Sequence, residues 1–311
     1  MVRIRWTSRR GDATRARSTE PPMSLTDSER AHIQEALQNQ RNALAVTRIT
    51  GDPAEIGKGL VHLADLHGML EDHAESRRHY EEALGYFETA GDKHGQAQVL
   101  FGLGVVSANF EDHRRAIEHI AGATALFNEL KDQENEALCR AAIGESLRSL
   151  GQTKAAEEKY QEALLLYRQA KNGPRIAQLL LDIGDIRMEV GEYEAARKRF
   201  SEALPLLEKE GDPEPLALCR LLLGESEGLL GNHDAARPHL KAAAELYEQL
   251  HDHAYEARAR WDLSIACTFV QDWKSARVEL EAVIPLFEEQ GRADDVAKAR
   301  KVLAHFDARG V

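Results

Sequence analysis

The chain has 311 residues, a formal charge of −12, 30% charged residues and only 6% aromatic ones. It is rich in Ala, Leu, Glu and Arg, which favour helix, and poor in β-branched alternation, which argues against a sheet. No apolar run approaches the roughly 18 residues that span a bilayer, and the N-terminus lacks the apolar segment of a signal peptide, so no membrane insertion is expected. Three scattered cysteines, Cys139, Cys219 and Cys267, are too few for a disulfide framework and point to a reducing, cytoplasmic setting.

Residues 1–22 carry six arginines against Asp12 and Glu20, a local charge of +4, with no apolar period. This basic tail is expected to be disordered. Met23 offers an alternative start directly before the first helix signal. The remaining chain has a charge of −16, which excludes a nucleic-acid reader, because phosphate backbones require a basic face. Such a body suits basic partners or plain solubility.

Residues 23–50 form an N-terminal helix: Thr26 and Glu29 have the spacing of a capping box, and the helix runs to about Ile49. From Gly51 the chain repeats every 40 residues without a gap, giving six repeats over 51–290. Leu63, Leu103, Ile143, Ile183, Leu223, Leu263 and Leu303 fall in one column. The next holds small residues: Ala64, Gly104, Gly144, Gly184, Gly224, Ser264 and Ala304. Ser76, Ala116, Ala156, Ala196, Ala236 and Ala276 form another, and Tyr80, Ile120, Tyr160, Phe200, Leu240 and Leu280 a fourth. In this frame Ala36, Ala43 and Leu44 occupy second-helix columns, so the N-terminal helix is a half repeat.

Each block reads as two helices. In 171–210 the first buries Ile176, Leu179, Leu180, Ile183 and Val190, and the second Tyr193, Ala196, Phe200, Ala203, Leu204 and Leu207, both near the 3.6-residue period. Gly191 separates them. Gly91-Asp92 and Gly211-Asp212 read as a left-handed stop followed by an N-cap. Asp52, Pro53 and Glu55 read as N-cap, first-turn proline and capping-box partner. Pro205, Pro238 and Pro285 lie inside second helices and are expected to bend or shorten them. The small-residue column requires two helix backbones to approach closely. Residues 291–311 supply a lone capping helix over 293–307, with Val296, Ala299 and Leu303 on one stripe and Lys298, Lys301 and Arg309 outside it.

Leucine-glycine in the first helix, then an aromatic, then alanine, aromatic and alanine in the second, appear here as Ile183-Gly184, Tyr193, Ala196, Phe200 and Ala203. The chain therefore resembles the tetratricopeptide family over about 27–307, in its 40-residue-period subclass. The resemblance implies an all-α, right-handed superhelical solenoid of helix-turn-helix repeats whose first helices line a concave groove that holds a peptide or protein segment. The subclass often carries an asparagine ladder in the groove. The corresponding residues here are His62, Gly102, Ala142, Asp182, Leu222 and Asp262, none of them asparagine.

The face of the first helix that is not core defines the candidate binding site. It comprises Asp65, Phe101, Glu145, Leu181, Asp182, Asp185, Glu189, Leu221, Leu222, Glu225, Trp261, Asp262, Ile265 and Phe269. This is an acidic surface with apolar patches, among them a cluster of Leu221, Leu222, Trp261, Ile265 and Phe269, so a basic, amphipathic partner segment is expected. Arg140, Arg220, Arg260 and Arg300 share one column. Their stems either pack like leucine while the heads pair with acids such as Glu136 or Glu256, or they form a basic ladder for carboxylates or phosphates.

No catalytic, cofactor or metal motif is present, and neither cofactor nor metal is expected. His73 and His79, His113 and His119, His233 and His239 recur six residues apart, which turns each pair to different helix faces. His251, Asp252 and His253 in a turn are a faint metal signal. Cys139 and Cys219 sit two repeats apart and read as small core residues. The expected function is a non-enzymatic scaffold or adaptor that binds a protein or peptide partner. Two other readings stay open: a sensor module that binds a peptide or small ligand and controls a separate effector, and a self-assembling structural scaffold.

Overall fold

The computed structural model describes residues 26–310. The expected tail and the alternative start at Met23 lie outside the described residues. Fourteen helices, and no strand, are found among those described. In chain order they are α1 (Asp27–Thr50), α2 (Pro53–Met69), α3 (His73–Ala90), α4 (Lys93–Asn109), α5 (His113–Glu129), α6 (Gln133–Ser149) and α7 (Thr153–Gln169). There follow α8 (Gly173–Glu189), α9 (Tyr193–Glu210), α10 (Pro213–Leu229), α11 (His233–Gln249), α12 (His253–Phe269), α13 (Trp273–Glu289) and α14 (Ala293–Arg309). Even-numbered helices are the first helices of the repeats, and odd-numbered ones the second.

The turns repeat more often than the repeats do. A residue with positive φ stands every 20 positions from Gly51 to Gly291, so each helix ends in the same left-handed turn. Gly191 holds φ 78° in the turn between α8 and α9, a conformation that costs glycine nothing sterically. Lys131 adopts φ 58° at the matching place between repeats and carries the strain of an L side chain there. Aspartates then start most helices: Asp92 accepts the N–H of Gly95, and Asp212 that of Glu214. The capping box at α1 is complete, with Thr26 and Glu29 each accepting the other's backbone N–H. At α2 the expectation is corrected. Asp52 caps Ala54 and Pro53 opens the helix, but Glu55 turns outward to Lys58 at 2.7 Å instead of closing a box.

The chain divides into two compact units, one ending at Ala170 and one beginning at Lys171. In the first, α2 packs on α3, α4 on α5 and α6 on α7, and each second helix also packs on the next first helix. One core joins Leu37 and Leu44 of α1 to Leu60, Leu63, Tyr80, Phe87, Val99 and Leu103, and another surrounds Ile120, Phe127 and Cys139. In the second unit α8 pairs with α9, α10 with α11 and α12 with α13, while α14 closes against α13. Its main core runs from Ala217 and Leu221 through Leu240, Tyr247 and Leu263 to Phe306.

The small-residue column does what its spacing requires. A Cβ on Gly184 would lie closer than 3.0 Å to the ring of Phe200, and one on Gly144 would stand 2.6 Å from Tyr160. One expectation fails, and another fails in the part that concerns helix length. Val190 caps α8 and is 53% exposed, because the helix ends one residue before it; Ile186 is buried on the stripe instead. The prolines do not shorten their helices. Those containing Pro205, Pro238 and Pro285 are 18, 17 and 17 residues long, as their proline-free counterparts are. The three rings are exposed, so the lost donor and the ring both face away from the core.

Candidate functional site

The first-helix face is built differently from root to tip. Residues four apart on one helix share a face, so Leu221, Glu225 and Leu229 form a stripe on α10, and Trp261, Ile265 and Phe269 one on α12. At the root, Leu181, Leu221 and Leu222 are 2%, 0% and 0% exposed. They are core, which corrects their placement on an open surface: the neighbouring helices close over them. Asp185 is buried as well. Trp261 is half-buried, its ring tilted against Phe287 at 5.9 Å, and Phe101 is half-buried beside the Ile120–Phe127 core.

The acids of the middle level are engaged within the fold. Tyr80 donates its hydroxyl to Asp65, and Tyr160 donates to Glu145 at 2.7 Å, so the same link joins first and second helix in two repeats of the first unit. Burial raises the Asp65 carboxyl, with the Tyr80 hydrogen bond pulling the other way. Burial and the Asp65 charge raise the Tyr80 phenol. In the second unit Glu225 is paired with Arg258 of α12. Burial lowers the Arg258 guanidinium, but the charges of Glu225 and Asp262 more than offset this, and the net shift is upward. Asp65, Glu145 and Glu225 therefore brace the repeats; they are not loose ligands for a basic segment. Asp182 accepts from Gln178 at 3.2 Å, Asp262 is half-buried, and Glu189 is exposed.

The tips of the stripes project, and so does the middle residue of the α12 stripe. Phe269 is 65% exposed, its ring stacked on His233 at 4.1 Å and 7°. Ile265 is 38% exposed. Leu229, which sequence reasoning missed, is 55% exposed and occupies the Phe269 column one repeat earlier, on a helix packed beside α12. That shared column was the signal available for it.

The arginine column belongs to the fold. Arg140 pairs with Glu136 and Glu162; Arg260 with Glu256 at 2.7 Å, Glu248 at 3.0 Å and Glu279 at 3.1 Å. Arg220–Glu208, Arg260–Glu248 and Arg300–Glu288 are one contact repeated three times, each joining a first helix to the preceding second helix. The turn at His251 assembles nothing: Asp252 caps Tyr255, and His253 pairs with Glu289 at 2.8 Å. The recurrent histidines separate as well, with His73 against the edge of Phe110. His79, however, meets His67 of the preceding helix, a pairing the six-residue spacing did not reveal. Cys139, Cys219 and Cys267 are buried and free.

The tetratricopeptide repeat family matches residues 55–129, 133–209, 175–249 and 215–289, which together exceed half of the chain. The chain belongs to the tetratricopeptide repeat family. No curated protein matches it in sequence. Among solved structures, BtubC from P. vanneervenii is 18% identical with a TM-score of 0.62, covering 72% of this chain and 91% of that one. The apo form of RapI is 16% identical with a TM-score of 0.63, covering 80% and 99%. A Rap protein complexed with competence and sporulation factor is 15% identical with a TM-score of 0.55, covering 92% and 88%. At these identities the likeness establishes the tetratricopeptide fold. The close approach of Gly184 to Phe200 lies within two of the matched segments.

Proposed function

We propose that this tetratricopeptide repeat protein is a non-enzymatic interaction module. Its partner is a protein or peptide segment with apolar anchors and basic flanks, taken by the tips of the first helices in the second unit. The observation that carries the reading is the exposure of Leu229, Ile265 and Phe269 on adjacent first helices, where the other residues of the same stripes are buried or half-buried. Exposed apolar side chains with a charged rim are the usual form of an interaction site. Glu189, Asp182 and Asp262 supply the acidic rim, and the charge of −16 beyond the tail supplies long-range attraction for a basic segment. A Rap protein of similar fold is complexed with competence and sporulation factor, which supports reading this fold as an interaction module. Burial pushes the Cys139 and Cys219 thiols up to about 12 and leaves them unreactive. No helix among the described residues is long and apolar enough to cross a membrane.

The test is affinity capture with the full chain as bait, at low and high salt, compared with Leu229→Ser/Phe269→Ser and with Asp182→Lys/Glu189→Lys. Loss of the same partner from the serine variant at both salts supports the apolar anchor. Loss from the lysine variant at low salt supports the basic flank. Recovery of an identical set of proteins by all three baits refutes the site.

A further inference from the structure

The turn between α2 and α3 gathers side chains that partner binding does not use. His67 lies in the last turn of α2 and is buried. Glu75 and His79 stand four residues apart on α3, which places them on one face. Each of the three offers one ligand atom, and these atoms lie within 4.8 Å of one another. The imidazole centroids are 5.4 Å apart, and Glu75 Oε2 is 3.9 Å from His79 Nε2. Among the described residues this is the one such group of three.

The surroundings decide which ring nitrogens face the cluster. Arg41 Nη2 is 3.4 Å from His67 Nε2, and Arg78 Nη2, which also pairs with Glu75, is 3.4 Å from His79 Nε2. A guanidinium only donates, so each Nε2 accepts and each ring carries its proton on Nδ1. His67 Nδ1 then donates to Asp72 Oδ2 at 3.1 Å. A ring held from behind by a carboxylate, with its other nitrogen presenting a lone pair, is the arrangement of a metal-binding histidine. Asp72 also accepts the Glu75 N–H on Oδ1, so one side chain orients the His67 ring and caps the helix that carries Glu75 and His79. Arg41 and Arg78 are exposed, so both guanidinium groups can withdraw into solvent and leave the ring nitrogens to a cation. The combination occurs in one repeat. The His67 column otherwise holds Ser107, Leu147, Arg187, Glu227 and Cys267.

We propose that His67, Glu75 and His79 form a binding site for a divalent cation of the zinc class, with Asp72 as its outer support and the fourth position open to water. Two imidazoles and one carboxylate suit zinc over magnesium or calcium. Bonds of about 2.0–2.1 Å in a tetrahedron put ligand atoms about 3.4 Å apart, which side-chain rotation reaches from the present separation. The bound ion staples the end of α2 to the start of α3.

The experiment is a titration of the untagged full chain with Co2+, followed by its visible absorption, then displacement by Zn2+ and calorimetry with Zn2+ alone. One equivalent is expected, with the intense absorption of four-coordinate cobalt and a rise in Tm. Asp72→Asn keeps a capping side chain and is expected to weaken binding by about 10- to 100-fold. Glu75→Gln and His79→Gln are expected to weaken it further, while His253→Ala, which removes a remote histidine–carboxylate pair, leaves it unchanged. Circular dichroism reports folding, and because Glu75 is part-exposed its variant tests the site even where His79→Gln misfolds. Absence of 1:1 binding, or binding untouched by Glu75→Gln and Asp72→Asn, overturns the site.

Discussion

Arg260 and Arg300 occupy the same column and make the same contact to the preceding second helix, yet their weight in the fold differs. Arg260 is 18% exposed and satisfies Glu256, itself 9% exposed, together with Glu279 and Glu248. Replacing it by methionine preserves the packing stem but strands the buried Glu256 carboxylate, so Arg260→Met is expected to cost on the order of 3 kcal/mol. Arg300 is 64% exposed with one partner, Glu288. A solvated pair contributes little, and Arg300→Met is expected to cost under about 1 kcal/mol. Urea unfolding followed by tryptophan fluorescence tests the contrast, since Trp261 and Trp273 both report on the second unit. Equal effects of the two substitutions would refute it.

At the scale of helices, the close approach of first to second helix is set by one small residue per repeat. A Cβ on Gly144 would meet Tyr160 Cε1 at 2.6 Å and the Ala156 carbonyl oxygen at 3.2 Å. The ring is 2% exposed and its hydroxyl is held by Glu145, so it has no room to retreat. Gly144→Ala is therefore expected to destabilise the first unit by about 1–3 kcal/mol, despite alanine's better helix propensity. Gly85, on the exposed face of α3 with nothing within 4 Å of its Cβ, is the internal control. There Gly→Ala is expected to stabilise by about 0.5–1 kcal/mol. Thermal melts of both variants decide this: a sign shared by the two would show that propensity, and not the approach of α6 to α7, governs the column.

Across the whole molecule, pH acts through a column of second-helix histidines. Burial lowers His79, His119 and His239 below the usual 6.5, with Arg78, Arg115 and Arg220 adding to it. A folded-state pKa below the unfolded one means that the unfolded chain binds the proton more readily. Their contribution is thus fully present above about pH 6.5 and is lost as pH falls below it. Asp65, raised by burial, works in the opposite direction. Tm is expected to fall from pH 7 to pH 5, and the double variant His119→Gln/His239→Gln to flatten that slope. An unchanged slope would assign the acid sensitivity elsewhere.

The period of 40, the paired helices, the small-residue column and, apart from Glu55, the capping signals were legible in the sequence. They are local properties: residues on one face recur every 3.6 positions, and a turn needs its glycine or aspartate wherever it stands. The capping box at Thr26 and the core placement of Ile183, Phe200 and Cys219 follow from that alone. The side chains left for a partner were not legible. Leu221 and Phe269 both lie on first-helix stripes outside the helix–helix seam of their own repeat, yet one is fully buried and the other 65% exposed. That difference depends on how far adjacent repeats close over each level of the stripe. The same holds for Glu225, whose partner Arg258 comes from the next first helix, and for His67 and His79, which meet only because the α2–α3 turn folds one helix end back beside the other. Periodicity along the chain determines the repeat and its core. Contacts between helices, which no single helix encodes, decide its exposed chemistry.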